Sequence, residues 1–167
     1  MKRTLTLIIA TFFAITVANA QNGWVMHKAD NRISVKFPAE PTAAAGGFIA
    51  ANKDSTLACV LTVVDLLQVA NLDSVALAPM KNSPDFAAQL KTGIKQGMPN
   101  VDLSDFTIGT WKGFTSYTAN GTDAKMKRYD MFMVLIGNKL YSFSTVTANG
   151  ATLQGRDAFF QSIVLSN

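Results

Sequence analysis

The chain has 167 residues, with 15 Lys and Arg against 11 Asp and Glu, one His and one Cys. A formal charge of +4 is too small an excess for a nucleic-acid-binding profile. A lone thiol excludes an intramolecular disulfide framework, so the domain must be held by its core.

Lys2 and Arg3 form a basic n-region, Leu5 to Val17 is almost wholly apolar, and Ala18-Asn19-Ala20 carries the small-x-small pattern that signal peptidase needs. Residues 1–20 therefore read as a cleavable signal peptide, and 21–167 as a single domain starting at Gln21. The apolar run, roughly 13 residues, is shorter than the ~20 a helix needs to cross a bilayer. There is no Cys at the cleavage point to carry a bacterial lipid anchor. No later segment approaches spanning length, so the sequence predicts an exported protein, periplasmic or extracellular, without an integral membrane segment after cleavage. Loss of Lys2 and Arg3 also lowers the net charge to +2 over about 147 residues, the size of one ordinary domain.

Beyond the signal peptide, apolar residues recur at every second position between turn signals, which predicts strands. Trp24 to Lys28 is the first. Ile33, Val35 and Phe37 share one face of the next, which Pro38 ends. The stretch 38–47, rich in Pro, Ala and Gly, reads as an edge or loop. Phe48 to Ala51 and Ser55 to Val64 flank Asn52-Lys53-Asp54 as a hairpin, with Leu57, Cys59, Leu61 and Val63 on one face, so Cys59 reads as a small core residue. Leu66 to Ala78 is open between a short helix and an irregular crossing.

Ser83 as cap, Pro84 and Asp85 in the first turn, and Gly97 with Pro99 at the end predict a helix whose Phe86, Leu90 and Ile94 stripe faces a sheet. Strands follow over 101–108 and 110–119, with Asn120-Gly121 as a tight turn, and then a long strand over 125–136. Gly137-Asn138 turns that strand into a partner over 139–146. Both faces of the long strand carry apolar residues, which predicts a central position. A helical face at 153, 156/157 and 160 precedes Ile163 to Leu165, either a closing strand or a tail. Helices inserted between antiparallel hairpins define an α+β layer structure.

Ile33-Ser34-Val35-Lys36-Phe37-Pro38, Asn138-Lys139-Leu140-Tyr141-Ser142-Phe143-Ser144 and Arg156-Asp157-Ala158-Phe159-Phe160-Gln161-Ser162 together resemble the Mog1/PsbP-like group of small α+β domains. The resemblance implies an antiparallel sheet of about six or seven strands flanked by helices. Members serve as accessory subunits of photosystem assemblies, as partners of a small GTPase, or as envelope proteins. None of their functional residues maps onto a position of this chain, so the resemblance favours binding over catalysis and assigns no site.

The residues themselves offer little catalytic chemistry. His27 has no second His or Cys near it to complete a metal site or triad, and Gly-rich phosphate loops are absent, so neither a metal nor a cofactor is expected. Asp102, Asp105 and Asp123 read as solvated turn residues rather than a calcium loop. Lys125, Lys127 and Arg128 read as a solvated strand face, and Asn120-Gly121-Thr122 is a weak glycosylation match. Aromatic and methionine side chains remain: Trp111, Tyr117, Tyr129, Met131 and Met133 are the candidate partner or ligand surface, with core packing as the competing reading. The functional expectation is an exported non-catalytic accessory or binding domain with a protein partner in the cell envelope. The alternative is a small apolar-ligand or lipid carrier, with its pocket between the sheet and the Ser83 to Gln96 helix.

Overall fold

A computed structural model describes residues 23–44 and 46–166. The signal peptide expected over 1–20 lies outside the described residues. β1 (Val25–Lys28) and β2 (Ile33–Phe37) pair antiparallel around a turn in which the Asp30 carboxylate accepts from the backbone N–H groups of Arg32 and Ile33. The other edge of β2 takes β11 (Val164–Leu165), which completes a three-stranded sheet in the order β1-β2-β11. Ile163 to Leu165 is thus a closing strand rather than a tail.

The main sheet begins at an edge hairpin, β3 (Thr42–Ala44) and β4 (Gly47–Ala51), and continues into β5 (Leu57–Asp65). The turn at Asn52-Lys53-Asp54 forms as expected, tied by the Asn52 side chain, whose oxygen accepts from the Leu57 N–H at 2.9 Å. Residues 66–78 resolve into two short helices, α1 (Leu66–Ala70) and α2 (Ser74–Leu77), started by the carboxylates of Asp65 and Asp73. α3 (Pro84–Gly97) has the predicted start, with Ser83 Oγ accepting from the Phe86 N–H at 3.2 Å.

Two turns after α3 differ from the sequence expectation. Residues 101–111 form two strands, β6 (Val101–Leu103) and β7 (Thr107–Trp111), and the chain reverses at Lys112-Gly113, where both residues have positive φ (49° and 85°). That geometry suits a two-residue hairpin, and Gly113 supplies its less tolerant half. Asn120-Gly121 is not a turn: it lies inside β8 (Phe114–Asp123), which continues unbroken. Gly121 is there because β6 passes so close that a Cβ would stand 2.5 Å from the Asp102 carbonyl oxygen. The real reversal follows, where the Asp123 carboxylate accepts from the N–H groups of Lys125 and Lys127 and Met126 adopts φ 59°. β9 (Arg128–Ile136) therefore starts three residues later than the alternation suggests, before Gly137-Asn138 turns it into β10 (Lys139–Thr147) as predicted.

The main sheet runs β3-β4-β5-β10-β9-β8-β6, with β7 also on β8, so β9 and β10 are central. On one face, the small sheet and α4 (Gln154–Gln161) close over a core of Ile33, Val35, Phe37, Cys59, Leu61, Val134, Phe143 and Phe159. On the opposite face, α1, α2 and α3 cover Tyr117, Ala119, Met131, Met133, Leu135 and Leu140 through Leu66, Leu77, Phe86 and Ala87. Each large apolar side chain so buried contributes about 1.5–3 kcal/mol. These two cores, and not any cross-link, hold the layers together.

Candidate functional site

α4 covers only part of the sheet face it packs on. It meets the sheet through Ala158 and Phe159, while Phe160 and Arg156 lean toward β9, β8 and β7 and form the wall of a groove of about 410 Å³. The sheet floor carries Thr118, Asn120, Asp130 and Phe132, with Thr107 and Trp111 on the outer strand. Register explains this convergence: Thr107 faces Thr118, Thr118 faces Phe132 and Asn120 faces Asp130 across adjacent strands, so alternation sends them all to one side.

Asp130 is the electrostatic centre, at only 8 % exposed. Arg128 grips it with Nε 2.8 Å from Oδ2 and Nη2 2.8 Å from Oδ1, and Arg156 Nη1 approaches Oδ1 at 3.4 Å. Arg156 Nε also donates to Asp157 Oδ1 at 2.9 Å. The hydrogen bonds that Arg128 donates to the Asp130 carboxylate raise its pKa above the ordinary value against the opposing effect of partial burial. The arrangement alternates cation and anion and holds Arg156 at the rim in a fixed pose.

The apolar side of the groove is aromatic. The Trp111 and Phe132 rings meet edge to face with centroids 5.9 Å apart, and Lys112 Nζ sits 4.8 Å from the Trp111 ring centre. Thr107, Thr118 and Asn120 are exposed, and their side chains make no hydrogen bond among the described residues.

Of the five aromatic and methionine residues singled out from the sequence, Trp111 and Met131 border this groove. Tyr117 and Met133 are 0 % and 1 % exposed and lie in the core under α3, to which Met131 also belongs. Tyr117 donates its hydroxyl to the Lys81 carbonyl oxygen, and burial pushes its pKa up to about 12. Tyr129 is half-buried on that same face and donates to Asp123 Oδ2 at 3.2 Å. The structure therefore does not bring the five together. Asp130, Arg156, Asn120 and Phe160, which do meet, form no functional motif: Arg156 and Phe160 stand in a fragment that carries the fold resemblance, and Asn120 and Asp130 are signalled by the Arg128-Asp130-Phe132 parity opposite Thr118-Asn120.

The three aspartates read as turn residues serve separate local roles. Asp105 pairs with Lys91 at 2.8 Å, whose hydrogen bond and charge hold its carboxyl below the ordinary value. Asp102 lies in β6 opposite Thr122, and Asp123 organises the turn before β9. His27 meets the Phe48 ring at a tilt of 52°, with ring centroids 4.0 Å apart, and does not line the groove.

No family model matches the chain, and neither does any curated protein. Among solved structures, cyanobacterial PsbP (CyanoP) from Synechocystis sp. PCC 6803 superposes with a TM-score of 0.62 at 10% identity, over 86% of this chain and 93% of that one. The fold is PsbP-like. A protein of Bacteroides thetaiotaomicron VPI-5482 shares 10% identity over 81% of this chain and 45% of that one, with a TM-score of 0.38, too low to carry an argument. In the PsbP-like frame described above, the groove is formed by the outer strands β7 and β8, the central β9 and α4. Among the described residues, no helix is long and apolar enough to cross a membrane.

Proposed function

We propose that residues 21–167 form an exported, non-catalytic binding or accessory domain, released after removal of residues 1–20, and that it binds through the groove around Trp111, Asp130 and Arg156. The observation that carries this reading is the preset pose of Arg156, fixed by Asp130 and Asp157 beside exposed hydroxyls and an aromatic wall. Binding sites combine such apolar area with a few fixed polar groups. A PsbP-like fold agrees with an accessory role by analogy only. The partner we propose belongs to the cell envelope, either a protein or one of its polymers.

The test is recovery from envelope extract on immobilised mature domain, wild type against Trp111→Ala. A specific partner retained by the wild type and lost by the variant supports the reading. Equal recovery by both proteins removes the groove from it, and robust turnover of a screened substrate would replace it with an enzyme.

A carrier of apolar ligands is the second reading, favoured by a cavity of about 230 Å³ under the C-terminal half of α3, lined by Ile94, Met98, Val60, Tyr129, Met131 and Val146. It falls below the ~300–1,000 Å³ common for small-molecule sites, whereas the groove falls within that range. Native mass spectrometry of freshly exported protein decides: a co-purifying apolar mass supports the carrier, and a consistently empty protein dismisses it.

A further inference from the structure

We infer that the groove takes a neutral carbohydrate, one or two sugar rings of a glycan chain, a proposal that rests on the groove being the binding site. Four features of the groove converge on that chemistry.

Charge comes first. Two guanidinium groups, Arg128 and Arg156, are matched by two carboxylates, Asp130 and Asp157, each ion-paired within the cluster. Within this cluster an anionic ligand would meet as much repulsion as attraction, and the Lys112 ammonium, engaged on the Trp111 ring, does not line the groove. What the cluster presents instead is a set of planar donors and acceptors side by side.

Hydrogen-bond capacity comes second. A sugar hydroxyl donates and accepts at once, so it is best met by groups offering both functions within a short span. Thr107, Thr118 and Asn120 offer them, all exposed, with Thr107 directly opposite Thr118 and Asn120 directly opposite Asp130 in the sheet register. An acyl chain in the same place would cover these groups and leave them without partners, which is costly.

Aromatic surface is third. A pyranose ring has an apolar face of C–H bonds, and the groove faces it with Trp111 and Phe160, the indole being steadied by its edge contact with Phe132. Size is fourth: about 410 Å³ lies within the ~300–1,000 Å³ common for small-molecule sites, and Ser104 and Asn120 on its lining are exposed to solvent.

Isothermal titration of the mature protein with chitobiose, cellobiose and maltose as neutral probes, and a sulfated heparin disaccharide as anionic probe, tests the inference. The expected result is saturable binding of at least one neutral disaccharide. Trp111→Ala and Asn120→Ala should each weaken it about tenfold or more, the scale expected for one good contact, with both variants folded at the assay temperature and Asn120→Ala retaining the wild-type melting temperature. No saturable binding at millimolar concentration, preference for the sulfated probe, or binding indifferent to both substitutions would overturn it. If the sugars fail while Trp111→Ala still abolishes partner recovery from envelope extract, the carbohydrate inference falls and the binding groove stands. If both fail, both are lost.

Discussion

The Tyr141 hydroxyl donates to Asp30 Oδ2 across 2.6 Å, and in doing so bolts the β1-β2 turn to the central strand β10. Lys139 Nζ adds an ion pair to the same oxygen at 3.1 Å, and the Arg32 and Ile33 N–H groups hold the other oxygen. Partial burial alone would raise the Asp30 pKa, but the hydrogen bonds from Tyr141, Arg32, Lys139 and Ile33 together outweigh it and bring it from the ordinary 3.8 to about 2.

A carboxyl whose folded pKa is depressed stabilises the fold above its unfolded pKa and loses that contribution as pH falls through the folded value. Asp30→Asn should therefore lower the melting temperature by a constant margin near neutrality, and the margin should shrink between about pH 4 and pH 2. Thermal melts of both proteins across pH 2–8 check this; a margin independent of pH would remove Asp30 from the account. Tyr141→Phe should cost about 1.5 kcal/mol, the lower end for a hydrogen bond to a charged group, because Asp30 keeps its other donors.

Asp130→Ala should destabilise the fold by about 1.5–3 kcal/mol, because Arg128 loses its carboxylate acceptor and Arg156 keeps only Asp157. Urea denaturation measures the loss. Removing Arg128 as well, in a double variant, should recover part of it, since the second change takes away one of the uncompensated charges.

Cys59 is fully buried, and burial pushes its thiol pKa up to about 12. A disulfide reagent at neutral pH should leave the native protein unmodified and react fully once denaturant is added, since the thiolate is the reactive form. Cys59→Ser should cost about 1–3 kcal/mol through an unpaired buried hydroxyl, while Cys59→Ala should cost less. Comparable melts for the two variants would contradict this.

Gly121→Ala should loosen β6 from β8, because the added methyl meets the Asp102 carbonyl oxygen at 2.5 Å and Val101 Cγ1 at 3.0 Å. Overpacking of this kind costs about 1–3 kcal/mol. Amide hydrogen exchange should show the increase confined to the N–H groups of the 101–103 and 121–123 pairing.

For the exported form, N-terminal sequencing of protein recovered outside the cytoplasm should begin at Gln21, and Ala20→Leu should leave the precursor uncleaved.

Much of the fold was legible because local chemistry and global packing agree. Ser83, Pro84 and Asp85 mark the start of α3, Gly137-Asn138 joins β9 to β10, and the parity of Leu57, Cys59 and Leu61 points them into the core. Asn120-Gly121 misled because a glycine demanded by a passing strand looks the same in sequence as one demanded by a turn. Lys112-Gly113 carries only a weak turn signal, because lysine at positive φ is uncommon. Tyr117 and Met133 were ambiguous between surface and interior until α3 was seen to cover them, since periodicity shows that two faces are apolar but not what lies on each. The groove was hidden for another reason: Thr107, Asn120, Asp130 and Arg156 become neighbours only through strand register and the placement of α4, and each alone looks like solvated surface.

The three-stranded clasp sets an order of events. β2 is flanked by β1, its neighbour in sequence, and by β11, which is translated more than a hundred residues afterwards. Phe37 meets His27 of β1 early, but its contact with Phe159 in α4 waits on that far end too. A chain emerging N-terminus first can pair β1 with β2 early but cannot seal the layer above Val35 and Phe37 until its final segment arrives. Contacts of such long sequence separation slow folding. Closure of this layer is therefore the last step open to the chain, whichever parts of the main sheet have formed before it.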